Sequence, residues 1–347
     1  MAAHVTIQPS GHSFTLQEHE TLLEGALREG YGLPYGCRTG ACGTCKGQIL
    51  SGTVDLGDFQ PGALSQEDVA AGKALFCLAR AQGDVVVEAR MISGIKDVVV
   101  RKLPVRVEKI ERVNHDVAVL SLKLPATEKF HFLPGQYIDF LTQDGKRRSF
   151  SLASTPGDGA PLELHIRHYP GGNFSRYVFE ELKPKTILRI EGPLGTFFLR
   201  EDSDKPVVFM AGGTGIAPIK GIIEHALAQH TLRPMVLYWG VRSLHDLYLA
   251  EQLGRLQASH ANFSFIPVLS EPLPTDNWHG RSGLVHEAIL HDFDDLSGYQ
   301  VYACGAPVMV EAGKRSFTAQ RKLPEAEFFS DPFTISVDAT KTGVAPA

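Results

Sequence analysis

The sequence predicts a multidomain protein of α+β and α/β class, in which three modules follow one another. Its 347 residues exceed what a single core usually holds. The first part combines short strand patterns with a cysteine-rich loop, the middle is a series of short alternating strands, and the last part alternates buried strands with helical stretches. We therefore expect a β-grasp module over 1–92, an antiparallel β-barrel over 103–200 and a doubly wound α/β module over 205–335, with a linker near 92–102.

The β-grasp module is predicted from a hairpin, a helix and a final strand. Residues 4–8 and 13–16 alternate apolar and polar side chains around a Pro-Ser-Gly turn, which indicates two paired strands. Thr21 and Glu24 have the Thr-x-x-Glu spacing of a capping box, so a helix is expected to begin there. The last strand of the module is predicted at Val85 to Ala89.

The two later modules differ in the pattern of their strands. Runs such as Tyr137 to Leu141 and Leu162 to Ile166 alternate and are separated by Pro and Gly turns, as in an antiparallel barrel. Beyond Pro206, apolar strands alternate with helical stretches such as Ile216 to Gln229, as in a doubly wound domain. Ser336 to Ala347 are expected to form a disordered tail. The buried strands are predicted at Val207 to Ala211, Met235 to Trp239, Phe263 to Leu269 and Tyr299 to Ala303.

Composition and charge exclude several classes of protein. No apolar run approaches the roughly 18 residues that a membrane helix requires, and the N-terminal segment lacks the basic and apolar stretches of a signal peptide. Five cysteines in a chain of this length do not suit a disulfide framework. A net charge of -5 leaves no basic stripe to neutralise phosphates. We therefore expect a cytoplasmic protein that binds neither membrane nor nucleic acid.

Four cysteines have the spacing of an iron-sulfur site. Cys37, Cys42 and Cys45 form a C-x4-C-x2-C loop, and Cys77 follows after 31 intervening residues, as in plant-type 2Fe-2S centres. Glycines within the loop allow it to fold around the cluster and free amide groups to bond its sulfurs. The alternatives are a zinc site or unconnected buried thiols, but zinc usually takes paired C-x2-C knuckles. The spacing therefore favours the cluster, with these four cysteines as ligands.

The module that carries these cysteines is acidic. Residues 1–92 hold ten Asp/Glu against six Lys/Arg, a formal balance of -4. An acidic electron-carrying module commonly meets a basic acceptor surface. A solvated face explains the same count equally well.

Two motifs suggest nucleotide binding in the later modules. Arg148-Ser-Phe150-Ser151-Leu-Ala-Ser154 ends a predicted barrel strand, and Gly171-Gly172-Asn-Phe-Ser175 follows; either piece alone is also explained by a turn in a β protein. The strand Val207 to Ala211 runs into Gly212-Gly213-Thr214-Gly215 and then a helix, so backbone N–H groups can face a pyrophosphate. This loop lacks the Gly-x-Gly-x-x-Gly fingerprint, which disfavours a standard Rossmann dehydrogenase.

In this order, the motifs resemble those of the ferredoxin-NADP reductase superfamily. Its flavin motif reads Arg-x-Tyr-Ser-x-x-Ser, and its nucleotide loop reads Gly-Gly-Thr-Gly. With a ferredoxin module at the N-terminus, the chain looks like the reductases that serve bacterial mono- and dioxygenases. The stretches Leu188 to Phe198 and Val301 to Gly305 are most similar to reductases that supply deoxysugar dehydrases.

The resemblance implies a set of flavin contacts. Arg148 would pair with the pyrophosphate of FAD, and Ser151 would hydrogen-bond near flavin N5. Phe150 stands where the family has Tyr, so its ring can pack against the flavin without the phenolic hydrogen bond. The remaining flavin-binding residues implied by the motifs are Ser154, Gly172 and Ser175.

The resemblance also implies a nicotinamide site. Cys304 would lie beside nicotinamide C4 with Gly305 next to it, although a lone Cys is more often a small buried apolar residue. Asp331-Pro-Phe333 matches the family's Glu-x-aromatic, so Phe333 would cover the flavin ring and step aside for nicotinamide. The nucleotide itself would be held by Gly212, Gly213, Thr214 and Gly215.

The segment after the second strand of the last module bears on the choice of coenzyme. Arg242 is suited to contact an adenosine phosphate, whereas Asp246 disfavours an additional negative charge nearby. The residues therefore favour NADH over NADPH.

Together these features predict a monomeric NADH-dependent reductase. Electrons would pass from NADH through FAD and the 2Fe-2S cluster to a partner oxygenase or dehydrase. Ser151, Cys304 and Asp331 would tune the geometry of transfer. Two alternatives stay open: a stand-alone reductase of free flavin or small acceptors, and a non-enzymatic redox sensor, which no basic patch supports. The histidines His165 and His168 are expected at the surface or near the flavin and receive no catalytic role.

Overall fold

The computed structural model describes residues 3–94, 98–157 and 159–334. The chain divides into two compact units, Met1–Val99 with Leu194–Thr196, and Val100–Pro193 with Phe197–Ala347. The predicted tail at 336–347 lies outside the described residues. Within those residues, none of the helices has the length and apolar character to cross a membrane.

The first unit is a β-grasp fold, as predicted. Its five-stranded sheet has the order β2-β1-β7-β3-β5, in which β1 runs parallel to β7 and the other neighbours are antiparallel. Thr21 and Glu24 form the predicted capping box at the start of α1. The elements are β1 His4–Gln8, β2 His12–Thr15, α1 Leu22–Arg28, β3 Lys46–Ser51, β4 Val54–Asp55, α2 Gln66–Ala70, β5 Lys73–Leu75, β6 Arg80–Ala81 and β7 Val85–Glu88.

The core of the first unit lies between the sheet and α1. Val5 and Ile7 point inward from β1, and Leu22 and Leu23 pack against them from the helix. Side chains alternate between the two faces of a strand, so Val5 and Ile7, two positions apart, lie on the same face of β1. The apolar pair at the start of α1 lies on the side of the helix that covers this face. The cysteine loop connects α1 to β3.

The second unit begins with an antiparallel barrel, as predicted. Its six strands have the order β11-β10-β13-β8-β9-β12. The two outer strands meet where Leu152 bridges Leu164 and the Ala153 N–H donates to the Glu163 carbonyl oxygen over 2.8 Å, which closes the barrel. The elements are β8 Arg101–Arg112, β9 Val117–Lys123, β10 Tyr137–Leu141, β11 Arg147–Ser151, β12 Leu162–Arg167, α3 Asn173–Glu180 and β13 Ile187–Leu194.

The rest of the second unit is a doubly wound α/β fold. All its strand pairs are parallel, in the order β17-β16-β15-β14-β18-β19. The strand order reverses between β14 and β18, so a crevice opens at the carboxyl ends of these two strands. The elements are β14 Val207–Gly212, α4 Ile216–Ala228, β15 Met235–Val241, α5 Ala250–Ser259, β16 Phe263–Leu269, β17 Arg281–Ser282, α6 Val285–Asp292, β18 Gln300–Gly305, α7 Pro307–Arg321 and β19 Phe328–Pro332.

Candidate functional site

The cysteine loop directs backbone amides at its own sulfur atoms. The N–H of Cys37 donates to Cys42 Sγ, and the N–H groups of Thr39 and Ala41 donate to Cys37 Sγ, each over 3.4 Å. Such a turn requires glycine: Gly40 has φ +72°, and a Cβ there would lie 2.4 Å from Leu78 Cδ1. The loop thus presents donors to sulfur, which is the environment that an iron-sulfur centre needs.

The four cysteine side chains associate in two pairs. A hydrogen bond from Cys42 lowers the pKa of the Cys37 thiol to about 5, and a hydrogen bond from Cys45 lowers the pKa of Cys77. The same bonds, with burial, raise the pKa of Cys42 and Cys45. A 2Fe-2S centre takes four thiolates for its two irons, so a two-and-two arrangement of thiols fits it.

A buried hydroxyl beside the cysteines also fits a sulfide-rich group. Thr44 Oγ1 is buried and has no hydrogen-bond partner among the residues that the structure describes. It lies near Cys42: both side chains fall within 3.4 Å of the position that a Cβ on Gly36 would take. A buried hydroxyl without a partner is costly. A bound cluster would offer it an acceptor.

The predicted flavin motif lies along β11, where it contacts helix α3 and the C-terminal strand β19. Phe150 packs its ring against Phe140 and Phe174, with centroids 5.9 and 5.4 Å apart. Ser151 Oγ donates to Asp331 Oδ2 over 3.2 Å, so β11 meets the C-terminal strand. Arg148 is half-buried, and its Nη1 donates to the Arg147 carbonyl oxygen over 2.8 Å.

The Gly-x-x-Ser turn forms the N-terminus of α3. A Cβ at Gly172 would lie 2.7 Å from Ser175 Oγ and 3.1 Å from the Tyr169 carbonyl oxygen, so a side chain there would crowd the turn. The Ser175 hydroxyl accepts from the Tyr169 N–H over 3.1 Å and bonds the Gly172 carbonyl oxygen over 3.0 Å. Because Phe174 of this helix contacts Phe150, the first turn of α3 lies next to the flavin motif. Its free N–H groups suit a phosphate.

Ser154, the last residue of the flavin motif, hydrogen-bonds the neighbouring strand β12 through its side chain. Its Oγ accepts from the Glu163 N–H over 3.1 Å, which ties the end of the motif to β12. This contact helps to close the barrel, so Ser154 holds the backbone of the motif in place.

The predicted nucleotide loop and the Cys304-Gly305 segment approach each other closely. A Cβ at Gly215 would lie 2.2 Å from the Cys304 carbonyl oxygen, and one at Gly305 would lie 2.8 Å from the Gly212 carbonyl oxygen. Gly213 has φ +52°, and its carbonyl oxygen accepts from Trp239 Nε1 over 2.9 Å. These segments form the crevice between β14 and β18, with Thr214 in the middle of the loop.

The four residues predicted to act in hydride transfer lie together. Cys304 and Asp331 are paired across β18 and β19, and Asp331 accepts from Ser151. The Phe333 N–H donates to the Gly305 carbonyl oxygen over 2.8 Å. Burial, with the nearby charge of Asp331, raises the pKa of the Cys304 thiol well above its usual value. Cys304 is therefore a neutral thiol, suited to contact a planar ligand rather than to attack one.

Two carboxylates flank the turn after β15. Asp246 Oδ2 accepts from the N–H and the hydroxyl of Ser243, over 3.1 and 3.2 Å. Asp276 Oδ2 accepts from the Leu244 N–H over 3.2 Å. Arg242 is exposed in the same turn. The sequence gives no sign of Asp276, because it comes from the loop after β16 and reaches this turn only in the folded chain.

The structure rules out the surface, one of the two settings expected for His165. Its side chain is fully buried, and it bonds Glu163 and Tyr248 over 2.9 Å each. An imidazole in the middle of an alternating strand looks like a surface group in sequence, but residues 164 and 166 face the barrel interior while 165 faces the α/β part of the same unit. His168 packs against the Phe179 ring, with centroids 5.1 Å apart.

The fold and these sites define a class: an iron-sulfur flavoprotein with a nicotinamide nucleotide domain. Family models match each part: a 2Fe-2S iron-sulfur cluster binding domain over residues 5–82, an oxidoreductase FAD-binding domain over 104–199 and an oxidoreductase NAD-binding domain over 209–315. The matches confirm the predicted cofactors: a 2Fe-2S cluster, FAD and NADH.

Known proteins match the chain over nearly its whole length. CDP-6-deoxy-L-threo-D-glycero-4-hexulose-3-dehydrase reductase of Yersinia pseudotuberculosis is 40% identical over 97% of this chain and 100% of its own. Protein RfbI of Salmonella typhimurium is 38% identical over 97% and 98%. The crystal structure of Amycolatopsis cytochrome P450 reductase GcoB has a TM-score of 0.77 and 35% identity, over 96% and 99% of the two chains. The chain belongs to this family of iron-sulfur flavoprotein reductases, which confirms the resemblance seen in its motifs.

Proposed function

We propose that this protein is the NADH-dependent reductase component of a two-protein system and passes electrons to a CDP-hexose dehydrase or an oxygenase. The carrying observation is that Ser151, Cys304 and Asp331 meet at the crevice beside the Gly-Gly-Thr-Gly loop. Bound FAD supplies the chemistry that links the two halves, since it takes hydride from NADH and releases electrons singly to an iron-sulfur cluster.

The residues of the first unit would hold the cluster. Cys37, Cys42, Cys45 and Cys77 would be its four ligands. The amides of the loop donate to cysteine sulfur, and the Thr44 hydroxyl would be available to donate to the cluster; such donors would stabilise its reduced form.

The residues of the second unit would hold FAD and NADH. Arg148 and the first turn of α3 would bind the pyrophosphate of FAD, and Phe150 would pack against its ring. Asp331 accepts from the Ser151 hydroxyl and would so hold this side chain beside the flavin. Cys304 and Phe333 line the place where nicotinamide stacks, and the loop Gly212 to Gly215 binds the pyrophosphate of NADH. Positioning of this kind contributes much of the rate of hydride transfer.

The preference for NADH would come from the turn after β15. Asp246 and Asp276 both place carboxylates beside its backbone. A 2'-phosphate there would be repelled, whereas a 2'-hydroxyl would find acceptors. Arg242 in the same turn is available to the phosphates of either coenzyme.

Two kinds of partner are supported by the relatives. The 40% identical relative is named as the reductase of a CDP-hexose dehydrase. The reductase subunit of an aromatic O-demethylase from Amycolatopsis is 37% identical over 92% of this chain. We propose that the protein acts as a monomer in the cytoplasm.

The proposed function is tested by steady-state assays with both coenzymes and both acceptors. We expect kcat/KM for NADH to exceed that for NADPH by at least about tenfold, since a charged group near two carboxylates costs at least about 1.4 kcal/mol. We expect a pull-down from the host with the reduced protein as bait to recover a dehydrase or an oxygenase. We also expect that recovered protein to accept electrons from the reductase. If free flavin were reduced as fast as any protein acceptor, and the pull-down recovered no acceptor, the stand-alone reductase would be supported instead.

A further inference from the structure

Helix α4, which follows the nucleotide loop, lies directly on the backbone of the flavin motif. A Cβ at Gly221 would lie 3.1 Å from the Ser154 carbonyl oxygen and 3.3 Å from that of Leu152. The absence of a side chain at residue 221 lets the helix approach this closely. The distance between the two cofactor-binding segments therefore depends on this contact.

The neighbouring residue, Lys220, bonds the same segment. Its ammonium donates to the Ala153 carbonyl oxygen over 3.2 Å and to Glu224 Oε2 over 3.0 Å, and it lies 3.2 Å from Glu163 Oε1. Only 7% of the side chain is exposed. Three acceptors match the three N–H donors of an ammonium, so the buried charge is fully partnered.

The network continues through β12 into the α/β part. His165 Nε2 lies 2.9 Å from Glu163 Oε1, and His165 Nδ1 lies 2.9 Å from the Tyr248 hydroxyl. Burial lowers the pKa of His165, so the ring is neutral near pH 7. Because Glu163 accepts, Nε2 carries the proton and donates, and Nδ1 accepts from the tyrosine.

The far end of the network returns to the nucleotide loop. The Tyr248 ring packs edge-on against Trp239, with centroids 5.3 Å apart. Trp239 Nε1 donates to the Gly213 carbonyl oxygen over 2.9 Å. An unbroken path of contacts thus runs from the backbone of the flavin motif at Ala153 to the nucleotide loop at Gly213.

We propose that Gly221 and the chain Lys220, Glu163, His165 and Tyr248, here called the buried latch, are positioning residues that set the distance between nicotinamide and flavin. The latch rests on the proposed function, since it acts on the hydride transfer step. Hydride transfer requires the reacting atoms within about 3–3.5 Å, and a displacement of 1 Å can cost about 100-fold in rate. A latch that sets the distance between the two cofactor-binding segments would therefore affect the rate.

The first test changes only the space at the contact. Gly221→Ala moves α4 away from the flavin motif by a few tenths of an ångström. We expect the stopped-flow rate of flavin reduction at saturating NADH to fall about tenfold. The matched control is Gly254→Ala in α5, where a Cβ meets nothing within 4 Å; it should transfer hydride at the wild-type rate.

The second test separates position from buried charge. Lys220→Met removes the bond to Ala153. It also leaves the Glu163 carboxylate charged, without the ammonium that pairs with it. The double variant Glu163→Gln with Lys220→Met removes the charges of this pair and leaves Glu224, which is 23% exposed and keeps its bond from Gln252. Its thermal midpoint should therefore recover most of the loss seen in Lys220→Met, while hydride transfer stays about tenfold slow. Lys314→Met is the control, because this lysine is 42% exposed on α7 and should leave the rate unchanged.

A spectroscopic readout accompanies the rates. The charge-transfer absorbance of reduced protein with NAD⁺ reports how the two rings stack, and we expect it to weaken in Gly221→Ala and in the double variant while flavin content and NAD⁺ affinity stay within twofold. Wild-type rates and absorbance in both variants would overturn the latch alone. A wild-type protein that takes no hydride from NADH would refute the proposed function and the latch with it.

Discussion

At the scale of single residues, the substitution in the flavin motif has a clear structural setting. Phe150 lies in an aromatic group with Phe140 and Phe174. A ring in such a group is held by packing and needs no polar partner. The family's tyrosine at this position would keep the packing and add a hydroxyl.

This difference leads to a prediction for flavin affinity. Phe150→Tyr should add one hydrogen bond to FAD, worth about 1 kcal/mol, and so lower the Kd for FAD about fivefold. Dialysis followed by titration with FAD and flavin fluorescence measures this constant. Phe179→Tyr serves as the control, because Phe179 lies near the C-terminal end of α3, whereas the contact with Phe150 is made by Phe174 at its start. An unchanged or higher Kd in Phe150→Tyr would show that the missing phenol does not limit binding.

Sequence alone identifies the residues that can bind a metal or a cofactor when they lie in one motif. It does not identify contacts between residues that are far apart in the chain. The spacing of Cys37, Cys42, Cys45 and Cys77 predicts a cluster because one loop supplies three of them. Lys220 and Glu163 are 57 positions apart, and neither belongs to a motif, so their contact could not be predicted. Asp276 is missing from the sequence-based site for the same reason.

At the scale of elements, strand β12 shows why periodicity does not fix the setting of one residue. Its alternation is clear, with Leu164 and Ile166 in the barrel core. The opposite face of a barrel strand usually meets solvent, which agrees with the first of the two settings expected for His165, the surface or the neighbourhood of the flavin. Here that face is covered by the α/β part of the same unit, so the histidine is buried.

The burial of β12 leads to a prediction for pH dependence. The groups that face His165 are Glu163, Lys220, Glu224 and Tyr248. Burial lowers the pKa of His165 in the folded state, so below its ordinary value of about 6.5 the unfolded chain binds the proton that the folded chain does not. The free energy of unfolding should therefore fall as the pH drops below about 6.5.

Thermal midpoints between pH 5 and 8 measure this dependence. His165→Gln should flatten the slope near pH 6, whereas His19→Gln, at a site whose side chain is 86% exposed, should leave it as in the wild type. A second loss of unfolding free energy is expected further into acid, because the pKa of Glu163 is lowered to about 2. Burial alone would raise this pKa, but the bond from His165 and the charge of Lys220 outweigh it. An identical slope in wild type and His165→Gln would contradict this account.

At the scale of the whole molecule, the order of modules was predictable and the grouping was not. The strand patterns predict the grasp fold, the barrel and the doubly wound fold, because each has its own period and turn chemistry. The structure joins the second and third into one compact unit. That grouping depends on contacts such as those of Gly221 and Lys220, which no local pattern encodes. The exact boundaries at 92, 103, 200, 205 and 335 stay predictions.

The division into two units suits the proposed relay. The nicotinamide and flavin sites share one unit, so hydride transfer takes place within a single packed body. The cluster ligands belong to the other unit, which also carries most of the net negative charge, -4 of -5. In the proposed relay the acidic ferredoxin part gives up the electrons, and an acidic electron-carrying module commonly meets a basic acceptor surface.

The most direct test of the relay compares two cysteine variants in the full chain. Cys45→Ser removes a cluster ligand and Cys304→Ser changes the nicotinamide site, so the two break the path at opposite ends. With NADH as donor, Cys45→Ser should keep ferricyanide reduction within twofold of the wild type and lose cytochrome c reduction by about 100-fold, while Cys304→Ser should slow both reactions together. Cytochrome c reduction that survives in Cys45→Ser, with its iron gone, would contradict the account.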